Sequence, residues 1–207
     1  MGWIESLFID HTIFRLLFRN RHRVTEDLWR SAQPLPMQLA AAKRLGIASV
    51  VNLTGTRDTA THRFEREACA RLGMRLVEYP LDSRDPPSRE RIAGLERLFA
   101  GLDYPALIHC KSGADRAGIA SALYLLLRDD RPIGEAQAQL SLRYGHVRQG
   151  PTGVLDFMLE RYAADAAASP MTFREWLDAE YDPVAIKRAF KSRRWGDFLV
   201  DRLLRRE

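Results

Sequence analysis

Apolar positions along the chain switch repeatedly between two spacings. Short runs rich in β-branched residues alternate with stretches in which apolar residues recur every three or four positions. Residues 28–31 read as a first strand, followed by the turn-prone Gln33-Pro34-Leu35-Pro36. A helix over 37–45 stops at Gly46, a usual residue just past a helix C-terminus. Residues 48–53 form a buried strand, 63–72 a helix stopped by Gly73, and 75–81 another strand. Pro86-Pro87-Ser88 opens a helix to about 101, with Ser88 as its cap. A short apolar strand over 105–109 precedes a strongly apolar helix over 117–128, and helices over 134–144 and 153–162 follow. Strands that alternate with helices predict an α/β fold. Its core is a central, mostly parallel sheet of about four or five strands, with helices on both faces.

Helical extensions flank this unit, which spans residues 24–164. Residues 1–23 place Ile4, Leu7, Phe8, Phe14, Leu17 and Phe18 near a 3.6-residue period, with Arg15, Arg19, Arg21 and Arg23 crowding the end. This amphipathic segment packs against the main domain or lies on a bilayer surface; packing is the simpler expectation. Residues 165–207 follow an alanine-rich stretch and contain two further helical segments, over 172–180 and 184–207.

Charge sharpens the view of the C-terminal end. The chain of 207 residues carries 32 Lys and Arg against 27 Asp and Glu, a net of +5. Residues 183–207 hold Lys187, Arg188, Lys191, Arg193, Arg194, Arg202, Arg205 and Arg206 against Asp197, Asp201 and Glu207, which matches the whole surplus. A basic tail suits a solvated helix face or a peripheral contact with an anionic membrane surface. Nucleic acid is not expected, because no aromatic platform is interleaved with the basic residues. Cys69 and Cys110 are too few for a disulfide framework. The nearly apolar stretch 119–127 is far shorter than the roughly 20 residues a membrane span needs. A cytoplasmic protein is expected, with peripheral residence at the inner membrane face as the variant the basic tail suggests. His11, His22, His62, His109 and His146 lack zinc-ligand spacing, so no metal is expected.

The segment from Ala106 to Gly118 carries the chemistry. A buried strand ends at His109, five residues separate Cys110 from Arg116, and an apolar helix begins directly afterwards. Backbone N–H groups of such a loop converge on one point, and the helix N-terminus adds positive potential there. The same donors stabilise a thiolate at Cys110, a competent nucleophile. Lys111, Ser112, Gly113, Ala114 and Asp115 form the phosphate-binding loop, and Gly113 supplies the backbone freedom that lets an anion approach. Arg116 grips two oxygens of a phosphoryl group in a bidentate fork. His109 supports the loop. Cys69, within a helical run, reads as an inert buried thiol.

His-Cys-x5-Arg at 109–116 resembles the signature of the cysteine-based protein tyrosine phosphatases, nearest the small dual-specificity branch and its bacterial members. The resemblance covers about 28–145 and includes Trp29-Arg30-Ser31-Ala32-Gln33-Pro34. It implies a phosphate monoester hydrolase that needs no cofactor and works through a phosphocysteine on Cys110. It also implies a general acid about thirty residues before the cysteine. Asp82 lies 28 residues before Cys110 and best matches the pattern of strand, Asp, short loop and Pro-Ser; Asp85 is the alternative. Family members carry Ser or Thr directly after the loop arginine, to support the thiolate as leaving group. This chain has Ala117, which predicts slower breakdown of the intermediate unless Ser112 or another donor substitutes.

Phosphoprotein is the substrate that the resemblance implies by default. Lys111 after the nucleophile is similar to members acting on phosphoinositides or phosphatidylglycerophosphate, and Asp115 before the arginine is similar to the myotubularin lipid phosphatases. Both are equally read as a solvated lysine and a local salt bridge or helix cap. A phospholipid or inositol phosphate is therefore the alternative substrate. A phosphate-binding module without turnover and a rhodanese-type sulfurtransferase are the competing classes. Arg116 and the upstream Asp favour phosphorus chemistry over sulfur transfer.

Overall fold

The computed structural model describes residues 19–56 and 58–204, with side chains described as far as Arg193. Most of the segment expected as an N-terminal amphipathic helix, and the basic side chains after Arg193, lie outside the described residues. Five strands build one sheet: β1 (His22–Arg23), β2 (Leu28–Ala32), β3 (Ser49–Asn52), β4 (Arg75–Glu78) and β5 (Ala106–Cys110). Their order is β1-β2-β5-β3-β4. β5 lies centrally and pairs in parallel with β2 and β3, β3 pairs in parallel with β4, and β1 is antiparallel to β2. The expected mostly parallel α/β sheet is what the chain forms.

Among the described residues eight α-helices alternate with or follow the strands: α1 (Pro36–Arg44), α2 (Ala60–Arg71), α3 (Arg89–Ala100), α4 (Asp115–Leu127), α5 (Ile133–Gln137), α6 (Val154–Ala168), α7 (Phe173–Ala179) and α8 (Pro183–Leu204). Period-two alternation sends neighbouring strand residues to opposite faces. Val50 and Leu107 pack with Leu39 and Ala42 of α1 and Ala68 and Cys69 of α2. Val51 and Ile108 pack on the other face with α3, α4 and α6. Every residue of α4 from Ala117 to Leu127 is buried, so this helix lies against the sheet with no solvent face. No helix among the described residues is long and apolar enough to cross a membrane.

Four local expectations differ from the structure, each for a physical reason. Residues 22–23 are a strand, since β2 would otherwise present a bare edge. β4 ends at Glu78 because Pro80 has no N–H to continue the ladder, although Leu81 N still donates to Leu53 O at 3.1 Å. The helix expected over 134–144 breaks after Gln137. Ser141 is extended, and Leu142–Tyr144 form a separate 3₁₀ turn closed by left-handed Gly145. The break leaves the Gln139 carbonyl free for the buried Arg30 guanidinium, at 2.7 Å. Finally, the alanine run continues α6 to Ala168, as the helix propensity of alanine favours.

The boundary expected at 164/165 thus falls inside α6. Phe173, Trp176, Tyr181, Ile186 and Phe190 lie in the same core cluster as α4 and α6. Trp176 is fully buried, stacks on Phe173 and donates its Nε1–H to Asp165 at 2.9 Å. Truncating a side chain so placed costs about 3–5 kcal/mol. The described part of the C-terminal segment is a structural member of the domain.

Candidate active site

Open parallel sheets offer their ligand crevice beyond the carboxyl ends of the strands. Cys110 is the last residue of β5, and helix α4 starts five residues later at Asp115. The helix was expected from 117, so Arg116 stands on its first turn and not in the loop before it. Cys110 is buried, and its Sγ accepts a hydrogen bond from Gly113 N at 3.2 Å.

The loop backbone is held from outside at four consecutive carbonyls. Lys111 O accepts from Gln33 N at 3.4 Å, and Ser112 O from Asn20 Nδ2 at 2.9 Å. Gly113 O and Ala114 O both accept from Arg30 Nη2, at 2.7 and 2.9 Å. A trans peptide points its C=O and the next N–H in opposite directions. Tying these carbonyls outward sets the following N–H groups on the opposite side of the loop backbone, where Gly113 N donates to Cys110 Sγ and Ala114 N to Ser112 Oγ. Gly113 has φ of +76°, and a Cβ there would come within 2.5 Å of Ala32 N and 2.6 Å of the Ser31 carbonyl carbon. Only glycine fits where the loop meets the end of β2.

Arg30 occupies the centre of this arrangement. It is fully buried, bonds Gln139 through Nη1, and lies 4.0 Å over the Tyr144 ring. Burial draws its guanidinium down to about 10, opposed by Tyr144, Cys110 and Asp115, so it remains a cation at neutral pH. Sequence reasoning quoted Arg30 within a resemblance and assigned it no role. Its signal was an arginine in the middle of a strand whose neighbours are all core-directed. Asn20 extends the same support, since its Nδ2 also bonds Tyr144 O at 2.9 Å.

His109 is expected to support the loop, and the structure supplies its partner. His109 Nε2 lies 2.5 Å from Glu65 Oε1, with both side chains fully buried. Glu65 Oε2 accepts from Asn52 Nδ2 at 2.9 Å and Gln33 Nε2 at 3.3 Å. Burial pulls the Glu65 carboxyl up, but His109 beside it and the bonds from His109 and Gln33 bring it below its ordinary value. Glu65 went unnoticed in the sequence. The clue was a carboxylate on the buried stripe of α2, in step with His62, Ala68 and Cys69. Burial pushes the Cys69 thiol up to about 12, with Glu65 adding to the effect, in keeping with an inert cysteine.

Lys111 and Ser112 are exposed at the mouth, and Ser112 Oγ accepts from Ala114 N at 3.4 Å. Ala117 is fully buried and brings no hydroxyl. The Asp115 carboxylate does not face the anion position. Its Oδ1 lies 2.7 Å from His146 Nδ1, and His146 Nε2 lies 2.6 Å from Asp156 Oδ2. Burial pulls the His146 imidazole down, but bonds to Asp115 and Asp156 and their charges raise it to about 9. His146 is therefore a buried cation between two carboxylates and does not border the cleft. His62 is equally engaged, 2.6 Å from Glu78. Arg116 is half-buried and has no carboxylate partner among the described residues, which leaves its fork available to an anion.

The two acid candidates are distinguished by their partners. Both follow β4, where Tyr79 N on Asn52 O and Leu81 N on Leu53 O hold the chain beside the end of β3. Asp82 is exposed, and one oxygen accepts from Arg84 N at 2.7 Å in a local turn. Asp85 forms an ion pair with Lys187 of α8. Among the described residues Asp82 keeps a free carboxylate oxygen, whereas Asp85 is engaged by Lys187.

Comparison with known proteins agrees with this geometry. Residues 29–145 match the family model described as "Swiss Army Knife protein, DSP-PTPase phosphatase domain". The chain is 28% identical over 109 residues to the dual specificity protein phosphatase TpbA of Pseudomonas aeruginosa, spanning 52% of this chain and 47% of that protein. It thus spans about half the length of that curated relative. The crystal structure of P. aeruginosa TpbA in complex with pTyr superposes with a TM-score of 0.52 at 21% identity, covering 83% of this chain and 90% of that one. The core catalytic domain of the PP-IP phosphatase SIW14 from S. cerevisiae gives 0.53 at 18% identity, covering 75% and 98%. These likenesses show a common fold.

Proposed function

Since the chain belongs to the DSP-PTPase phosphatase family, we propose that it hydrolyses phosphate monoesters, phosphoprotein first among them, through a phosphocysteine on Cys110. The observation that carries this reading is the set of four loop carbonyls tied back by Gln33, Asn20 and Arg30, with Gly113 N donating to the Cys110 sulfur inside the loop. Donors preorganised in this way act where charge develops and need no rearrangement during the reaction.

The reaction has two displacements. The Cys110 thiolate attacks phosphorus, forming the S–P bond as the ester P–O bond breaks, and Asp82 gives its proton to the departing oxygen. A water then attacks phosphorus, Asp82 takes a proton from it, and the S–P bond breaks to release phosphate and restore the thiolate. Arg116 and the loop N–H groups hold the equatorial oxygens throughout. His109, fixed by Glu65, keeps the end of β5 in place.

Phosphoprotein is supported by the family and by the pTyr complex of the TpbA relative. An inositol phosphate or phospholipid is the second reading. It is favoured by the exposed Lys111 beside the nucleophile and by the likeness to a PP-IP phosphatase. An Asp82→Ala trap, screened against phosphopeptides, inositol phosphates and phosphatidylglycerophosphate with Cys110→Ser as the blank, separates the two. Retention of phosphopeptides is expected; retention of inositol or lipid phosphates alone reverses the order. If the wild-type chain binds phosphate yet releases none from any ester, it is a binding module.

A further inference from the structure

The loop that carries Asp82 is held by a part of the chain that lies beyond the family match. Residues 178–187 run from the last turn of α7 into α8, well past the matched 29–145. The fully buried Tyr181 donates its hydroxyl to Pro87 O at 2.6 Å. Arg89, first residue of α3, reaches back with Nε and Nη2 on Tyr181 O at 2.9 and 2.6 Å, and with Nη1 on Asp178 O at 2.7 Å. Lys187 pairs with Asp85 in the middle of the loop. The loop is therefore fastened at Asp85, Pro87 and Arg89, while Asp82 itself is exposed and makes only its local turn.

We propose that the 178–187 segment is a brace for the general-acid loop, with Lys187 and Tyr181 as positioning residues that set where Asp82 meets the leaving group. The inference rests on Asp82 being the proton donor. Its chemistry is specific. A loop released from the brace lets Asp82 wander, which slows the steps in which Asp82 gives or takes a proton; kcat/KM reads the first of these, in which the leaving group departs, apart from the second. The phosphate cradle is held by Arg30, Asn20 and Gln33 and stays intact.

The test compares the full chain with Lys187→Gln, Lys187→Arg, Asp85→Asn and the Lys187→Gln/Asp85→Asn double variant on two esters. Phenyl phosphate expels a phenol of about the tyrosine pKa, ~10, and needs protonation; p-nitrophenyl phosphate expels a stable anion and needs it far less. Lys187→Gln is expected to lower kcat/KM about 5–10-fold on phenyl phosphate and less than about 2-fold on p-nitrophenyl phosphate. Lys187→Arg restores the rate, and the double variant is no slower than the slower single one, as for residues acting as a pair. Equal slowing on both esters, or no slowing on either, overturns the brace. Asp82→Asn is the parallel control. If it slows both esters alike, the acid assignment falls and the brace with it. Selective slowing by Asp82→Asn alongside a uniform effect of Lys187→Gln overturns the brace alone.

Discussion

The cradle around Cys110 and the loop carrying Asp82 stand at the same edge of the sheet and are built in opposite ways. The cradle is buried at Cys110, Gly113 and Ala114. Its carbonyls are claimed by a buried guanidinium, a side-chain amide and a backbone N–H, and its glycine is pressed against β2. The acid loop is solvated at Asp82 and leans on helices from the far end of the chain. The difference follows from the two tasks. Charge on the equatorial oxygens is best met by dipoles that cannot move. On the proposed mechanism the proton donor must instead meet leaving groups of varied shape and then a water, so it has to remain accessible.

The strongest break in this comparison is Arg30→Met. It strips the Gly113 and Gln139 carbonyls of their donor at once and leaves Ala114 O with Gly118 N alone. We expect kcat/KM on p-nitrophenyl phosphate to fall about 10²–10³-fold and urea unfolding to show a loss of about 3 kcal/mol. An unchanged rate would mean that the cradle holds its shape unaided. Asp82→Asn should act on the other region alone. Phenyl phosphate turnover drops about 10²-fold, while stability moves by no more than about 0.5 kcal/mol because the side chain is exposed.

A pH titration of stability sharpens the contrast further. His146 titrates at about 9 in the fold against 6.5 for the free side chain. A raised folded value contributes stability fully below about pH 6.5 and loses it as pH rises through about 9. The contribution is at most about 3 kcal/mol. Unfolding free energy of the wild type should therefore fall across that window relative to the His146→Gln variant; parallel profiles would exclude the imidazolium between Asp115 and Asp156. The smallest effect is expected from Ala117→Ser. A rapid-quench burst of phosphoenzyme in the wild type should shrink, with turnover rising about 2–5-fold as a hydroxyl supports the departing thiolate. Absence of a burst in the wild type, together with fast turnover, would show that Ser112 or another donor already serves.

The ion pair of Lys187 with Asp85 also bears on how such contacts are weighed. Both side chains are about 40% exposed, and surface pairs of this kind contribute only about 0–1 kcal/mol to stability. Its interest is geometric, since it lies three residues from Asp82.

Much of the architecture was legible because it rests on local rules. Gly46 and Gly73 end helices where expected, Ser88 caps α3 by accepting from Arg91 N, and the β-branched run at 49–52 is a central strand. Cys110, Gly113 and Arg116 could be located from a strand, a short loop and an apolar helix in sequence. The misreadings have a shared cause. A helix over 134–144 satisfies the apolar period, yet a buried guanidinium more than a hundred residues away takes the Gln139 carbonyl and ends it. Glu65 looked like one polar residue among many in a helix, because only the docking of α2 against β5 brings it to His109.

Local patterning thus determined the order of strands and helices, and placed Cys110 and Arg116 on a strand–loop–helix turn. Those features depend on periodicity and turn chemistry, which act over a few residues. The tertiary structure alone decided which carboxylate is free and which is paired, where Asp115 turns, and what holds the loop carbonyls. Each of these depends on hydrogen-bond partners that buried polar groups must find across the fold, wherever in the chain they lie.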